Sequence, residues 1–158
     1  MKCDEMASSA VKLFDDGFHC SQAVLSVCAD LLEIDDPSQA IATVSPFGGG
    51  LASTGSVCGC LPGALAAFGL AMGKTTPDGR DGRDMWRLGY KMVKEFDRIT
   101  MEYGGVNCSD ISGVNWKSRD DVKAFRKNKD GRRDRCHMVL VETVKVMCRL
   151  IGDVSRKD

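Results

Sequence analysis

Residues 48–73 read GGGLASTGSVCGCLPGALAAFGLAMG, and their order decides how the rest of the chain is read. Three glycines open the stretch, a composition that suits close backbone approach or positive φ. Cys58-Gly59-Cys60 follows, and the chain then stays almost continuously apolar to Met72. Such a run reads as a helix buried all round. Pro62 is tolerated only if it lies in the first turn, where its missing N–H removes no helix bond. The helix therefore starts close to Cys58 and Cys60. The stretch reads as a glycine-rich loop feeding a buried helix, with thiols at its entrance.

Working outward, the remaining periodicity is helical. Met6, Val11, Leu13 and Phe14 lie amid polar positions before Gly17, a usual residue just past a helix end. Cys20, Val24, Val27 and Leu31 repeat at spacings of four, three and four, which places Cys20 in the first turn of a second helix, facing inward. Asp36-Pro37 reads as the start of a short third helix. Leu88, Met92, Phe96 and Ile99 mark a long amphipathic helix from Met85 to Tyr103, ending at Gly104-Gly105. Asn107 to Asp110 offers capping residue types around Cys108, but ISG behind it is too short to read as a full helix. Residues 117–135 hold nine Lys or Arg against four Asp and read as a short exposed helix and a loop. The last helix runs from about Asp134 to Ile151, with Cys136 in its first turn on the inward stripe of Leu140, Val144 and Met147. No strand-period alternation appears. The expected class is all-α, a compact bundle of about five or six helices with a glycine-rich loop.

At 158 residues and 43% hydrophobic content, the chain fits one domain, residues 1–158, with its own core. The 22 basic and 22 acidic residues cancel, so no global field attracts nucleic acid or anionic membrane. Acids interrupt the apolar positions near the N-terminus, which does not read as a secretory signal. No stretch is long enough to insert in a bilayer. The expectation is a cytoplasmic protein.

Eight cysteines, at 3, 20, 28, 58, 60, 108, 136 and 148, are many for such a chain. Without a secretory signal they argue for reduced thiols, metal ligation or redox chemistry rather than a disulfide framework. No CxxC pair is present, so spacing alone offers neither a thioredoxin-type motif nor a zinc ribbon. Cys28 and Cys148 read as small core hydrophobes, and Cys3, near the chain end, carries no inference. Cys20, Cys58 and Cys136 fall at helix starts, where free N–H groups and partial positive charge favour thiolate. With Cys108 they form a candidate cluster of stabilised thiolates.

Gly17-Phe18-His19-Cys20-Ser21-Gln22-Ala23-Val24, Phe47 to Gly50 and Gly55 to Leu65 together resemble the family called C_GCAxxG_C_C, described as redox-active and named for four cysteines. The resemblance covers nearly the whole chain. It implies that Cys20 and Cys58 are the first two cysteines, that Gly59 and Gly63 are the motif glycines, and that Cys108 and Cys136 are the third and fourth. Cys60 stands where members often carry alanine, and reads as a replacement of little steric cost, with ligation or a resolving role as alternatives. Members are often encoded near transporter genes, and related segments occur beside haem in a split-Soret cytochrome. This chain has no CxxCH, so covalent c-type haem is not expected.

The leading expectation is therefore an iron-sulfur cluster held by Cys20, Cys58, Cys108 and Cys136 for electron transfer, with the Gly59 and Gly63 backbone close to it. One alternative is a metal-free thiol-disulfide oxidoreductase in which Cys58 and Cys136 are redox-active. Another is a zinc-binding structural or sensory module closed by four sulfurs. The expected partners are a redox partner protein and a second copy of the chain in a homodimer, with no nucleic acid. His19 and His137 each adjoin a key cysteine, but neighbours on a helix point about 100° apart. They read as exposed or capping. Gly69 to Thr75 imitates a P-loop yet has one residue too few and ends a helix where a P-loop begins one.

Overall fold

The computed structural model describes residues 2–155. Eight α-helices lie among them: α1 (Lys2–Asp15), α2 (Cys20–Leu31), α3 (Ser38–Thr43), α4 (Cys60–Met72), α5 (Met85–Thr100), α6 (Cys108–Ser112), α7 (Arg119–Arg126) and α8 (Arg133–Ser155). Two 3-10 turns, Ser45–Phe47 and Met101–Tyr103, complete the order. The all-α class holds, but the count of five or six helices was too low. The shortfall includes α6, whose five residues are too few to print a period on the sequence. Among the described residues the only strand-like pairing is an isolated antiparallel bridge between Val57 and Asn107.

Helix α4 is the central piece. It is apolar on nearly every side, and it packs on α2, α5 and α8. Its start at Cys60 puts Pro62 in the first turn, where no helical N–H is lost. Gly63 lets it lie close to α2. A Cβ there would stand 2.8 Å from the Ser21 carbonyl oxygen and 2.9 Å from Ser21 Cα. The Ser21 hydroxyl, fully buried, donates to the Val44 carbonyl at 2.7 Å and ties α2 to the segment behind α3.

Phe68, Phe96, Leu25, Leu88, Met92, Leu140 and Met147 fill the interior between α2, α4, α5 and α8. Each fully buried side chain of this size contributes roughly 1.5–3 kcal/mol of transfer free energy. Helix α1 adds Met6, Ala7, Ala10 and Phe14, a helical stripe that seats it on α8 in the most extensive helix pairing of the molecule. That pairing is also covalent, because Cys3 and Cys148 form a disulfide. Cys148 is therefore not the small core hydrophobe expected from the sequence, and Cys3, from which the sequence supports no inference, is its partner. Cys28 is such a hydrophobe, since it is fully buried in the core.

Between the first 3-10 turn and α4 the backbone does something no pattern announces. Five consecutive residues, Gly49, Gly50, Leu51, Ala52 and Ser53, have φ between +55° and +68°. Left-handed backbone costs an L-residue roughly 1–2 kcal/mol, so Leu51, Ala52 and Ser53 hold this shape against their own preference. Hydrogen bonds hold it: Ala52 N–H to Pro46 O at 2.6 Å, Gly55 N–H to Gly49 O at 3.0 Å and Ser56 N–H to Gly50 O at 2.9 Å. The result delivers Cys58 to the start of α4.

Candidate functional site: a cavity lined by five thiols

Four segments bring cysteine to one place. Cys20 is the first residue of α2 and Cys60 the first of α4, with Cys58 two residues ahead of it. Cys108 opens α6, and Cys136 lies in the first turn of α8. The Val57–Asn107 bridge fixes two of these segments side by side: Cys58 N–H donates to Val106 O at 2.9 Å, and Cys108 N–H donates to Ser56 O at 2.7 Å. All five thiols line one cavity of about 510 Å³. The four cysteines singled out in the sequence thus line one cavity together with Cys60, but the close group of sulfurs among the described residues is Cys20, Cys58 and Cys60, with Cys108 and Cys136 outside it.

The Sγ atoms of Cys20, Cys58 and Cys60 all lie within 4.8 Å of one another. Thiolates bound tetrahedrally to one ion at about 2.3 Å stand about 3.8 Å apart, so a small adjustment would let these three share a metal. Gly59 is what allows the approach. A Cβ at that position would stand 2.8 Å from Cys20 Sγ and 2.8 Å from Phe47 O. Gly59 therefore serves the sulfurs directly, whereas Gly63 faces the Ser21 backbone and serves the packing of α4 on α2.

The five thiols are not equivalent. Cys20 is held well below the ordinary thiol range, chiefly because the Cys58 and Cys60 thiols donate hydrogen bonds to it, with help from the Ser21 N–H. The hydrogen bonds to the Cys20 sulfur, reinforced by burial and then by the Cys20 charge, in turn push Cys58 and Cys60 well up. Burial, reinforced by the Cys20 charge, raises Cys108 to about 11 and Cys136 to about 12. The expectation that every thiol at a helix start is stabilised as thiolate is corrected here. Burial and mutual repulsion outweigh the helix ends at all but Cys20.

Around the sulfurs the wall is aromatic and basic. Phe14, Phe18, Trp116 and Phe125 line the cavity together with Asp15, His19, Arg126 and Arg133. Trp116 Nε1 is buried without a hydrogen-bond acceptor, and it stands near enough to Cys108 to favour that thiol's ionised form. The Arg133 guanidinium lies 4.1 Å from the Phe14 ring centroid and 5.6 Å from that of Phe125. Its Nη2 donates to Phe14 O at 3.4 Å and Asp15 Oδ1 at 3.3 Å. His137 Nε2 meets the same Asp15 oxygen at 2.7 Å, which turns that ring to α1 rather than to the sulfurs. His19 is exposed and precedes α2, where its N–H donates to Gln22 Oε1 at 3.2 Å. Sequence reasoning missed Asp15, Trp116 and Arg133 because single residues on three separated segments carry no spacing signal.

A thiol trio in contact, two further thiols and an orphaned indole donor fit a thiolate-bound metal centre and fit dithiol chemistry equally in residue type. The fold and the site together define an all-helical protein built around a cysteine cavity. More narrowly, residues 18–150 match the family described as "Putative redox-active protein (C_GCAxxG_C_C)", and the chain belongs to that family. No curated protein and no solved structure matches it. No described helix is long and apolar enough to cross a membrane.

Proposed function

We propose that the chain acts as one redox domain whose thiol cavity holds an iron-sulfur cluster, with Cys20, Cys58, Cys108 and Cys136 as ligands and Cys60 as a fifth sulfur in reach. The observation that carries this reading is the cavity of about 510 Å³ behind five converging thiols. When bound, the cluster supplies one-electron transfer. The chain's own residues do the rest. Gly59 keeps Cβ atoms away from Cys20 Sγ, Trp116 Nε1–H offers a donor to sulfur near Cys108, and the aromatic wall limits water. Electron transfer requires a redox partner protein. Cytoplasmic placement belongs to this reading as well, since that compartment keeps cavity thiols reduced; the Cys3–Cys148 disulfide counts against it.

The contact among Cys20, Cys58 and Cys60 favours a second reading, thiol-disulfide exchange without metal. The Cys20 thiolate would attack a substrate disulfide, forming a mixed disulfide and releasing one thiolate. Cys58 or Cys60 would then attack the Cys20 sulfur, releasing the second thiol and leaving a protein disulfide, two electrons having passed to the substrate.

Iron, acid-labile sulfide and zinc content, with a visible spectrum of protein purified without oxygen, separate the readings. Matching iron and sulfide with a brown chromophore is the expected result, and Cys58→Ser should lose both. Unchanged iron in that variant overturns the cluster assignment. Colourless, metal-free protein whose accessible thiols fall by two on oxidation establishes the exchange reading instead.

A further inference from the structure

The cavity is lined by more than sulfur, and its lining residues differ in chemistry and exposure. Cys58 and Cys60 are buried. Arg126 is exposed, whereas the Arg133 side chain is only 14% exposed. Among the described lining residues Asp15 is the sole acid against these two guanidinium groups. That carboxylate is already committed to Arg133 and to His137. Its pKa is lowered, since the His137 and Arg133 contacts outweigh the effect of its burial, so it stays ionised and paired. Arg133 spends only Nη2 on Asp15 and Phe14 O. The remaining positive charge faces the cavity from a wall of aromatic rings, an arrangement that suits bidentate capture of a carboxylate or similar oxyanion.

We propose that the part of the cavity beside Arg126 and Arg133 is a subsite for a small molecule joining an anionic group to a flat apolar body. Arg126 and Arg133 pair the anion, Phe14, Phe125 and Trp116 flank the body, and the far end of the molecule rests against the sulfurs. The inference rests on the cavity sulfurs being the reactive centre, and it names the class of reactant they meet. A solvent-exposed arginine and a stacked one select charge, while the ring-lined passage excludes large or strongly hydrated ligands. The two arginines could instead serve only to offset thiolate charge. In that case the anion preference below would be absent.

The test uses the protein as purified, with its metal content recorded, and titrates benzoate and its neutral analogue benzamide by calorimetry. Charge-assisted hydrogen bonds to one carboxylate correspond to about tenfold or more in affinity, so benzoate should bind at least about tenfold more tightly. Arg126→Met, at an exposed position where folding is not at stake, should shrink that ratio several-fold. Arg126→Met with Arg133→Met should bring it to one. Benzoate, but not benzamide at equal concentration, should slow alkylation of Cys20 in metal-free reduced protein. Equal affinity for the two probes, or a ratio indifferent to both substitutions, overturns the subsite. The cluster reading is judged separately, by iron and sulfide content and their loss in Cys58→Ser, so failure of that reading and failure of the subsite are told apart.

Discussion

Cys20 is the residue on which the site's acid–base behaviour turns. In metal-free reduced protein the first proton leaves the Cys20, Cys58 and Cys60 trio well below the ordinary thiol pKa of 9.0, because two thiols and a backbone N–H donate to the Cys20 sulfur. Cys58 and Cys60 then stay protonated, since a second charge would face the first. The nucleophile is the thiolate, so the sign follows directly. Alkylation by iodoacetamide should reach its plateau at a lower pH than for an ordinary thiol and should fall as pH drops through the lowered pKa. An unperturbed thiol would instead gain rate about tenfold per pH unit up to 9. One equivalent should react fast, and Cys20→Ser should remove that phase. A fast phase surviving in Cys20→Ser places the thiolate elsewhere. The sequence pointed to this residue through its helical spacing and its place in the family motif. Cys60 reads there as a replacement for alanine, with ligation or a resolving role only as alternatives, because residues two apart do not share a helix face. Only the bend of the chain before α4 shows that both sulfurs face the same way.

At the scale of elements, the crossing of α2 and α4 sets the distance between Cys20 and Cys60, since each is the first residue of its helix. Two glycines of α4 make opposite forecasts about that crossing. A methyl at Gly63 would press on the Ser21 carbonyl oxygen at 2.8 Å, and backbone cannot move aside cheaply. Gly63→Ala should cost roughly 1–3 kcal/mol and should slow the fast alkylation phase by displacing Cys20 from its donors. At Gly69 a Cβ meets nothing within 4 Å. Gly69→Ala should therefore gain up to about 1 kcal/mol from helix propensity alone and leave the thiols unchanged. Chemical denaturation with thiol kinetics on both variants checks the pair, and equal stability changes would refute the account. The long helices were legible because their apolar stripes repeat over three or more turns. The left-handed run from Gly49 to Ser53 was not, since Leu51, Ala52 and Ser53 adopt a backbone that their residue types disfavour. Hydrogen bonds across the loop itself, and bonds from Cys108 and Ser109 to its end at Ser56 and Gly55, hold it, and residue-type preference does not encode them.

Over the whole molecule, α1 is fastened to α8 at both ends by different chemistry. Far from the cavity the Cys3–Cys148 disulfide and the 2.9 Å Asp4–Lys145 ion pair hold its start. Beside the cavity Asp15 meets Arg133 and His137. Sequence gave no hint of the disulfide, because its partners are 145 residues apart and each reads locally as a thiol of no special placement. Closing so long a loop restricts the unfolded chain by about 5 kcal/mol in the chain-entropy model, which for a chain of this size is a melting shift on the order of 10–20 °C. Cys3→Ser and Cys148→Ser should each lower the melting temperature by that amount, the double variant should add nothing, and dithiothreitol should bring the parent down to the same value. Metal content and Cys20 reactivity should survive all three variants, because Phe14, Asp15, Arg133 and His137 keep the near end of α1 against the cavity without help from the bond. Loss of the metal or of the fast thiol in Cys148→Ser would show that the two ends of α1 are coupled, and that the distant disulfide governs the site.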